Sequence, residues 1–226
     1  MQARLSLCTR QSSTKCGVAV CNYIELRFLR TNLNRKRAAK DLAAICHHPQ
    51  SSTSSAPTTC KPYNMSIEDR IESMGLYLPE PVKVPAGVVI DFAWARVHGD
   101  RVFASGHGPQ SPDGTVAGPF GRVGAEVTVE QAAEAAKLAT LSLLASVRRA
   151  LGGSLNRVEA VLRVDGFVLV APGFDRTTNV INGCSRLFLE LFGDDAGRHA
   201  RTAMGVAATP LSCPVVIAAE FAIRSA

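Results

Sequence analysis

The sequence predicts an α+β domain in which a mixed sheet carries two long helices on one face, in the order β-β-α-β-α-β-β. Three observations carry this prediction. Residues 128–151 are rich in Ala and Leu, open on a cap and close on Gly152-Gly153. Short alternating apolar runs stand before, between and after two helical stretches. Tight-turn residues separate the runs, as at His98-Gly99-Asp100 and Ser111-Pro112-Asp113-Gly114. With both helices on one side, the other sheet face needs a cover. Aromatic residues make up only 6% of the chain and the sheet is aliphatic, so self-association is the natural solution.

Taken in order, Ser66–Met74 reads as a short helix, with Ser66 as cap, Glu68 and Asp69 in the first turn and Gly75 as stop. Pro79, Pro81 and Pro85 make Leu76–Gly87 an extended coil. Val89–Val97 alternates as a strand, and Arg101–Ser105 returns as its hairpin partner. Gly106–Gly121 is a loop. Thr128 and Gln131 form a capping box for the first long helix, whose residues Ala136, Ala139, Leu143, Val147 and Ala150 share a face. Arg157–Leu169 alternates with Val158, Ala160, Leu162 and Val164 on one side. The second long helix runs from about Asp175 to Phe192, with Val180, Leu187, Phe188 and Leu191 as its apolar stripe and Gly193 as its end. Strands Ala200–Ala207 and Val215–Ile223 close the chain, joined by Thr209-Pro-Leu-Ser-Cys-Pro214.

Charge divides the 226 residues unequally. Ten of the 25 Lys/Arg and two of the 19 Asp/Glu lie in residues 1–64 (net +8), leaving 15 against 17 in residues 65–226 (net −2). The body is slightly acidic and has no broad attractive field for phosphates, which argues against nucleic acid as a partner. Five of the seven cysteines also lie in the extension. Cys184 and Cys213 alone need no bridge to hold a domain of this size, and a reducing compartment is the default. Cys16, Cys21, Cys46, His47 and His48 match no standard zinc spacing, so no metal is expected. No apolar run of eighteen residues exists, so no membrane span is expected. Residues 1–64 are rich in Arg, Ser and Thr, and 51–59 are of low complexity. The segment reads either as an organelle transit peptide or as upstream sequence preceding a native start at Met65. The expected location is cytoplasmic, or mitochondrial if that segment is a genuine address.

Four segments of the body resemble the Rid family, also called YjgF-like and historically L-PSP endoribonucleases: Arg101-Val-Phe-Ala-Ser-Gly-His-Gly-Pro109, Asn182–Gly193, Gly197–Val206 and the closing proline-linked strand. Met74-Gly-Leu-Tyr-Leu-Pro79 is similar to the opening of a longer branch of that family. The resemblance covers nearly all of residues 74–226. It implies a chorismate-mutase-like fold, a homotrimer with clefts between subunits, and no metal or organic cofactor. It also implies hydrolysis of enamine or imine intermediates, such as 2-aminoacrylate or 2-iminobutanoate, to 2-oxo acids and ammonia. The partner would be a small carboxylate-bearing imine or 2-oxo acid.

Carried over residue by residue, the resemblance makes Arg201 the catalytic candidate, gripping the substrate carboxylate with a planar fork. Gly106 would close one wall of the pocket by its backbone, and Asn182 would stand near the site. His107 occupies a position where the family more often has glutamine; it reads either as a group able to exchange protons near neutral pH or as a partly exposed loop residue with no role. His199 should share a side with Arg201 and serve packing or a subunit contact. Three positions depart from the pattern. Phe92 replaces an aromatic hydroxyl, Ala203 replaces a cysteine, and Val216 stands where the family has an acid. Glu220 lies four residues further, roughly 13 Å along a strand. Two other functions therefore stand beside the imine deaminase: a carboxylate-binding trimer without turnover, and the ribonuclease of the family's older name.

Overall fold

The structure is a computed structural model and describes residues 65–225. The basic extension, its cysteine–histidine group and any address it carries lie outside the described residues. Helix α1 (Ile67–Ser73) opens the body. Ser66 accepts from the Asp69 amide at 3.0 Å and Asp69 returns a bond to the Ser66 amide at 3.1 Å, a reciprocal cap. Strands β1 (Ala95–His98) and β2 (Arg101–His107) form the hairpin, with Gly99 at φ 59° in its turn. Helix α2 (Val129–Ala150), strand β3 (Val158–Leu169), helix α3 (Thr177–Ala196), strand β4 (Ala200–Val206) and strand β5 (Val215–Ile223) follow. Gly193, at φ 84°, breaks α3 where the sequence places its end.

The sheet order is β1-β2-β5-β3-β4, with β3 and β4 parallel and the other pairs antiparallel. The architecture is the mixed sheet with two long helices that the sequence predicts. Helix α2 packs on β2 and β5, and α3 on β3 and β4. Every second residue of β5, from Val215 to Ile223, is buried beneath them. Phe188 of α3 meets Phe221 edge-on at 5.9 Å. Helices α2 and α3 touch backbone to backbone, since a Cβ at Gly183 would collide with the carbonyl of Ala133. On the opposite face Phe103, Phe167 and Met204 are exposed.

Three expectations need correction. Residues 89–94 are not strand: the ladder begins at Ala95. Strand β2 carries an extra residue between the pairs Ala104–Ala219 and His107–Ile217, and Ser105 within it bonds the Trp94 and Ala93 carbonyls, beyond which no ladder continues. The alternation of β3 also fails at Ala160 and Leu162. The pairs Val161–Phe221 and Arg163–Glu220 leave Leu162 as an extra residue, so Val161, Val164 and Val168 face the helices. Ala150 is exposed, while Ala136, Ala139, Leu143 and Val147 are buried as expected.

Candidate functional site

The candidate residues fall into two groups on different strands. Strand β4 carries Arg201 toward α3, where its Nη1 donates to Asn182 Oδ1 at 2.9 Å and to Ser185 Oγ at 3.0 Å. His199 Nδ1 lies 2.8 Å from the Gly197 carbonyl, which can only accept, so Nδ1 holds the proton. Nε2 then accepts from Ser185 Oγ at 3.0 Å. Arg201 thus donates to Ser185, Ser185 to His199, and His199 to the Gly197 carbonyl, which ends the chain as acceptor. Burial, with the Arg201 charge beside it, lowers the His199 pKa against the opposing bond to Gly197. His199 also meets Phe188 edge-on at 5.6 Å, which is the packing role the sequence suggests. The Arg201 Nε and Nη2 groups have no partner among the described residues. That side of the guanidinium is a planar fork suited to one carboxylate. Ala203 lies on the same strand, and its carbonyl accepts from Thr177 Oγ1 at 3.1 Å.

The second group surrounds a cavity of about 890 Å³ where β2 ends. Gly106, His107 and Phe92 line it together, so the structure joins three of the sequence candidates here. Val216 does too, and a Cβ on Gly106 would come within 2.8 Å of its Cγ1. A side chain at 106 would therefore require Val216 to shift. His107 is neither exposed nor in a loop. It ends β2 and is 3% exposed. Its Nδ1 donates to the Ser105 carbonyl at 2.6 Å, and its Nε2 accepts from Ser146 Oγ at 2.9 Å. Arg149 Nη2 donates to the same Oγ at 3.0 Å. Burial pushes the His107 pKa down to about 4, with the Arg149 charge adding to it and the Ser105 bond opposing. His107 is thus neutral at pH 7 and not the proton exchanger the sequence suggests.

The two groups do not meet within one chain. Three strand spacings of about 4.8 Å separate β2 from β4, roughly 14 Å. Arg201 faces the helices, whereas Val216 faces the open side of the sheet. An acid at position 216 would not have reached Arg201 of its own chain. Sequence reasoning missed Ser146, Arg149, Ser185 and Trp94, whose ring lies 5.1 Å from that of His107 on the cavity wall. Ser146 is a buried hydroxyl within an apolar helix face, which is a readable signal. Arg149 reads from sequence only as a helix-end charge. Among the described residues no group of three His, Cys, Asp or Glu could hold a metal ion, and no helix is long and apolar enough to cross a membrane.

A family model described as "YjgF/chorismate mutase-like, putative endoribonuclease" matches residues 68–221. This chain belongs to the YjgF/chorismate-mutase-like family. Protein TCP17 of Trypanosoma cruzi is 34% identical over 152 residues, 67% of this chain and 90% of that protein. Among solved structures, Atu1372 of Agrobacterium tumefaciens, described as of unknown function, is 34% identical with a TM-score of 0.62, covering 70% of this chain and 92% of that one. A "putative endoribonuclease" of Shewanella oneidensis MR-1 is 29% identical with a TM-score of 0.63, covering 70% and 100%. The match to the YjgF model spans both residue groups, from the cavity around Gly106 to the arginine on β4.

Proposed function

We propose that this protein hydrolyses 2-imino acids to 2-oxo acids and ammonium, with Arg201 holding the substrate carboxylate. One observation carries the reading. Asn182 and Ser185 both bind Nη1, which fixes the guanidinium and leaves Nε and Nη2 for a ligand. The protonated imine carbon takes up water, the C–N bond breaks, and C=NH₂⁺ plus H₂O become C=O plus NH₄⁺. The iminium already carries the charge that makes its carbon electrophilic, so positioned water is the main requirement. The proposed working unit is residues 65–226 as a homotrimer, in which Arg201 of one copy faces Gly106 and Phe92 of the next. The separation of the two groups within one chain supports this, as do the exposed Phe103, Phe167 and Met204.

The test is a coupled assay in which serine or threonine dehydratase generates 2-aminoacrylate or 2-iminobutanoate while semicarbazide competes for the imine. The expected result is protection of 2-oxo acid formation, lost in Arg201→Ala. A folded protein that never exceeds the uncatalysed rate sinks the proposal.

A second reading is binding of small carboxylates without turnover. It is favoured by Val216, whose methyls occupy the cavity wall where the resemblance places an acid. Saturable 2-oxo acid binding with no imine hydrolysis would select it. Ribonuclease activity, suggested by the names of relatives, fits poorly with a body of 15 basic and 17 acidic residues.

A further inference from the structure

We infer that the cavity at the end of β2 receives a large apolar side chain, so that the substrates are 2-imino acids with branched aliphatic or similarly bulky tails. This rests on the imine-hydrolase reading for its chemistry, but its geometry stands alone. The three-carbon skeleton of 2-aminoacrylate would leave most of a cavity of about 890 Å³ filled with water. The walls are apolar: Val84, Val88, Val89 and Ile90 from the coil before β1, with Phe92 and Trp94 following. Several of these side chains are exposed in the single chain, Val89 at 76% and Phe92 at 51%. A ligand seated between these side chains and the neighbouring copy proposed to face Phe92 would remove that surface from water.

Most polar side chains in the cavity are already bonded within the protein, Gln110 through Nε2 to the Gly114 carbonyl with its Oε1 left open. His107 Nδ1 is bound to Ser105 and its Nε2 to Ser146, while Arg149 binds Ser146 and the Pro79 carbonyl. Lys83 is paired with Asp113 at 2.8 Å. Among the described residues no buried side-chain nitrogen or oxygen lacks a partner. A polar tail would thus find few partners for its hydrogen bonds, whereas an apolar tail loses nothing on entry. The 210–212 turn closes one side of the cavity through Leu211, which sits at φ 54°, a conformation costly for a leucine. Thr209 Oγ1 holds the turn by donating to the Cys213 carbonyl at 2.6 Å. A strained residue facing a cavity is a common mark of a ligand site.

Each methylene buried is worth roughly a four-fold gain in affinity. The chain's one tryptophan, Trp94, lines the cavity and reports its occupancy directly. The experiment titrates the full chain with 4-methyl-2-oxopentanoate and with pyruvate, reading Trp94 emission. The same two tail sizes are then compared as imines in the hydrolysis assay. The expected dissociation constant is at least ten-fold lower for the branched acid. Ala150→Phe, on the exposed last residue of α2 at the cavity wall, should cut that ratio to below three-fold. Equal affinities, or a ratio that Ala150→Phe leaves unmoved, overturn the inference whether or not imines are hydrolysed. Tight binding of the branched acid with no hydrolysis of either imine keeps the cavity assignment and removes the hydrolase reading instead.

Discussion

Two regions of this molecule repeat one chemical pattern: a histidine bonded through Nδ1 to the carbonyl two residues earlier, a helix serine on its Nε2, and an arginine on that serine. At α2 the pattern is His107, Ser146 and Arg149; at α3 it is His199, Ser185 and Arg201. The first histidine is buried, and its arginine turns back to the Pro79 carbonyl, so the chain closes on the protein. In the second, the arginine is half-buried on an edge strand with Nε and Nη2 unpartnered among the described residues. The same parts therefore form a structural tie in one place and, on the function proposed above, a ligand grip in the other. The difference lies in what each fork has left: Arg149 commits both Nη1 and Nη2 to protein acceptors, whereas Arg201 commits Nη1 alone.

The largest effect expected from breaking this comparison is in Arg201→Ala. Each hydrogen bond between charged partners is worth about 1.5–3 kcal/mol, so losing two lowers kcat/KM for imine hydrolysis about 100-fold or more. Stability should fall by only about 1–2 kcal/mol, from the lost bonds to Asn182 and Ser185 at a half-buried site. Arg201→Lys restores little, because an ammonium offers a point charge in place of a fork. An Arg201→Ala rate within three-fold of wild type would end the idea that the α3 chain is a grip.

The next effect is on acid stability at α2. The unfolded chain protonates His107 near pH 6.5, while the folded chain resists until about pH 4. Between those values the unfolded state binds more protons, so stability falls as pH drops through that window. The full loss is about 3 kcal/mol. Urea midpoints at pH 7.5 and pH 4.5 should differ accordingly, and His107→Gln should flatten the dependence. A midpoint that does not move with pH would mean that His107 is not held neutral.

Smaller effects separate the two serines. Ser146→Ala strands the buried His107 Nε2 and should cost about 1–3 kcal/mol in denaturant unfolding. Ser185→Ala leaves Nη1 with Asn182 and acts at a half-buried site, so about 1 kcal/mol is expected. Its main consequence should be a several-fold rise in KM. If Ser185→Ala proves the more destabilising of the pair, the division between tie and grip is wrong.

Much of the fold was legible because its signals are local. Caps at Ser66 and Thr128, the glycine stops and the alternation of β5 depend on neighbours in sequence. The failures at Val89–Trp94 and at Ala160 and Leu162 share a cause, since a bulge is set by the partner strand and leaves little trace in one strand's own pattern. The site divides in the same way. Arg201, Asn182 and Gly106 could be read because the segments around them resemble a family. Ser185 and Arg149 could not, because their roles come from a hydroxyl and a guanidinium that only tertiary packing brings to a histidine. The burial of His107 was missed because its neighbours Gly106 and Gly108 read as loop.

Gly183 stands next to Asn182 and lets α3 rest directly on the backbone of α2 at Ala133. Contact between two main chains has almost no compliance, since there is no side chain to change rotamer or give way. Asn182 is thereby referenced to a close main-chain contact between the two helices, while Arg201 sits on an edge strand. Thermal excursions of that strand are read against a fixed gauge one residue away. Precision at the edge is inherited from rigidity in the middle, and a single added methyl at position 183 would shift the zero of that gauge without touching the arginine.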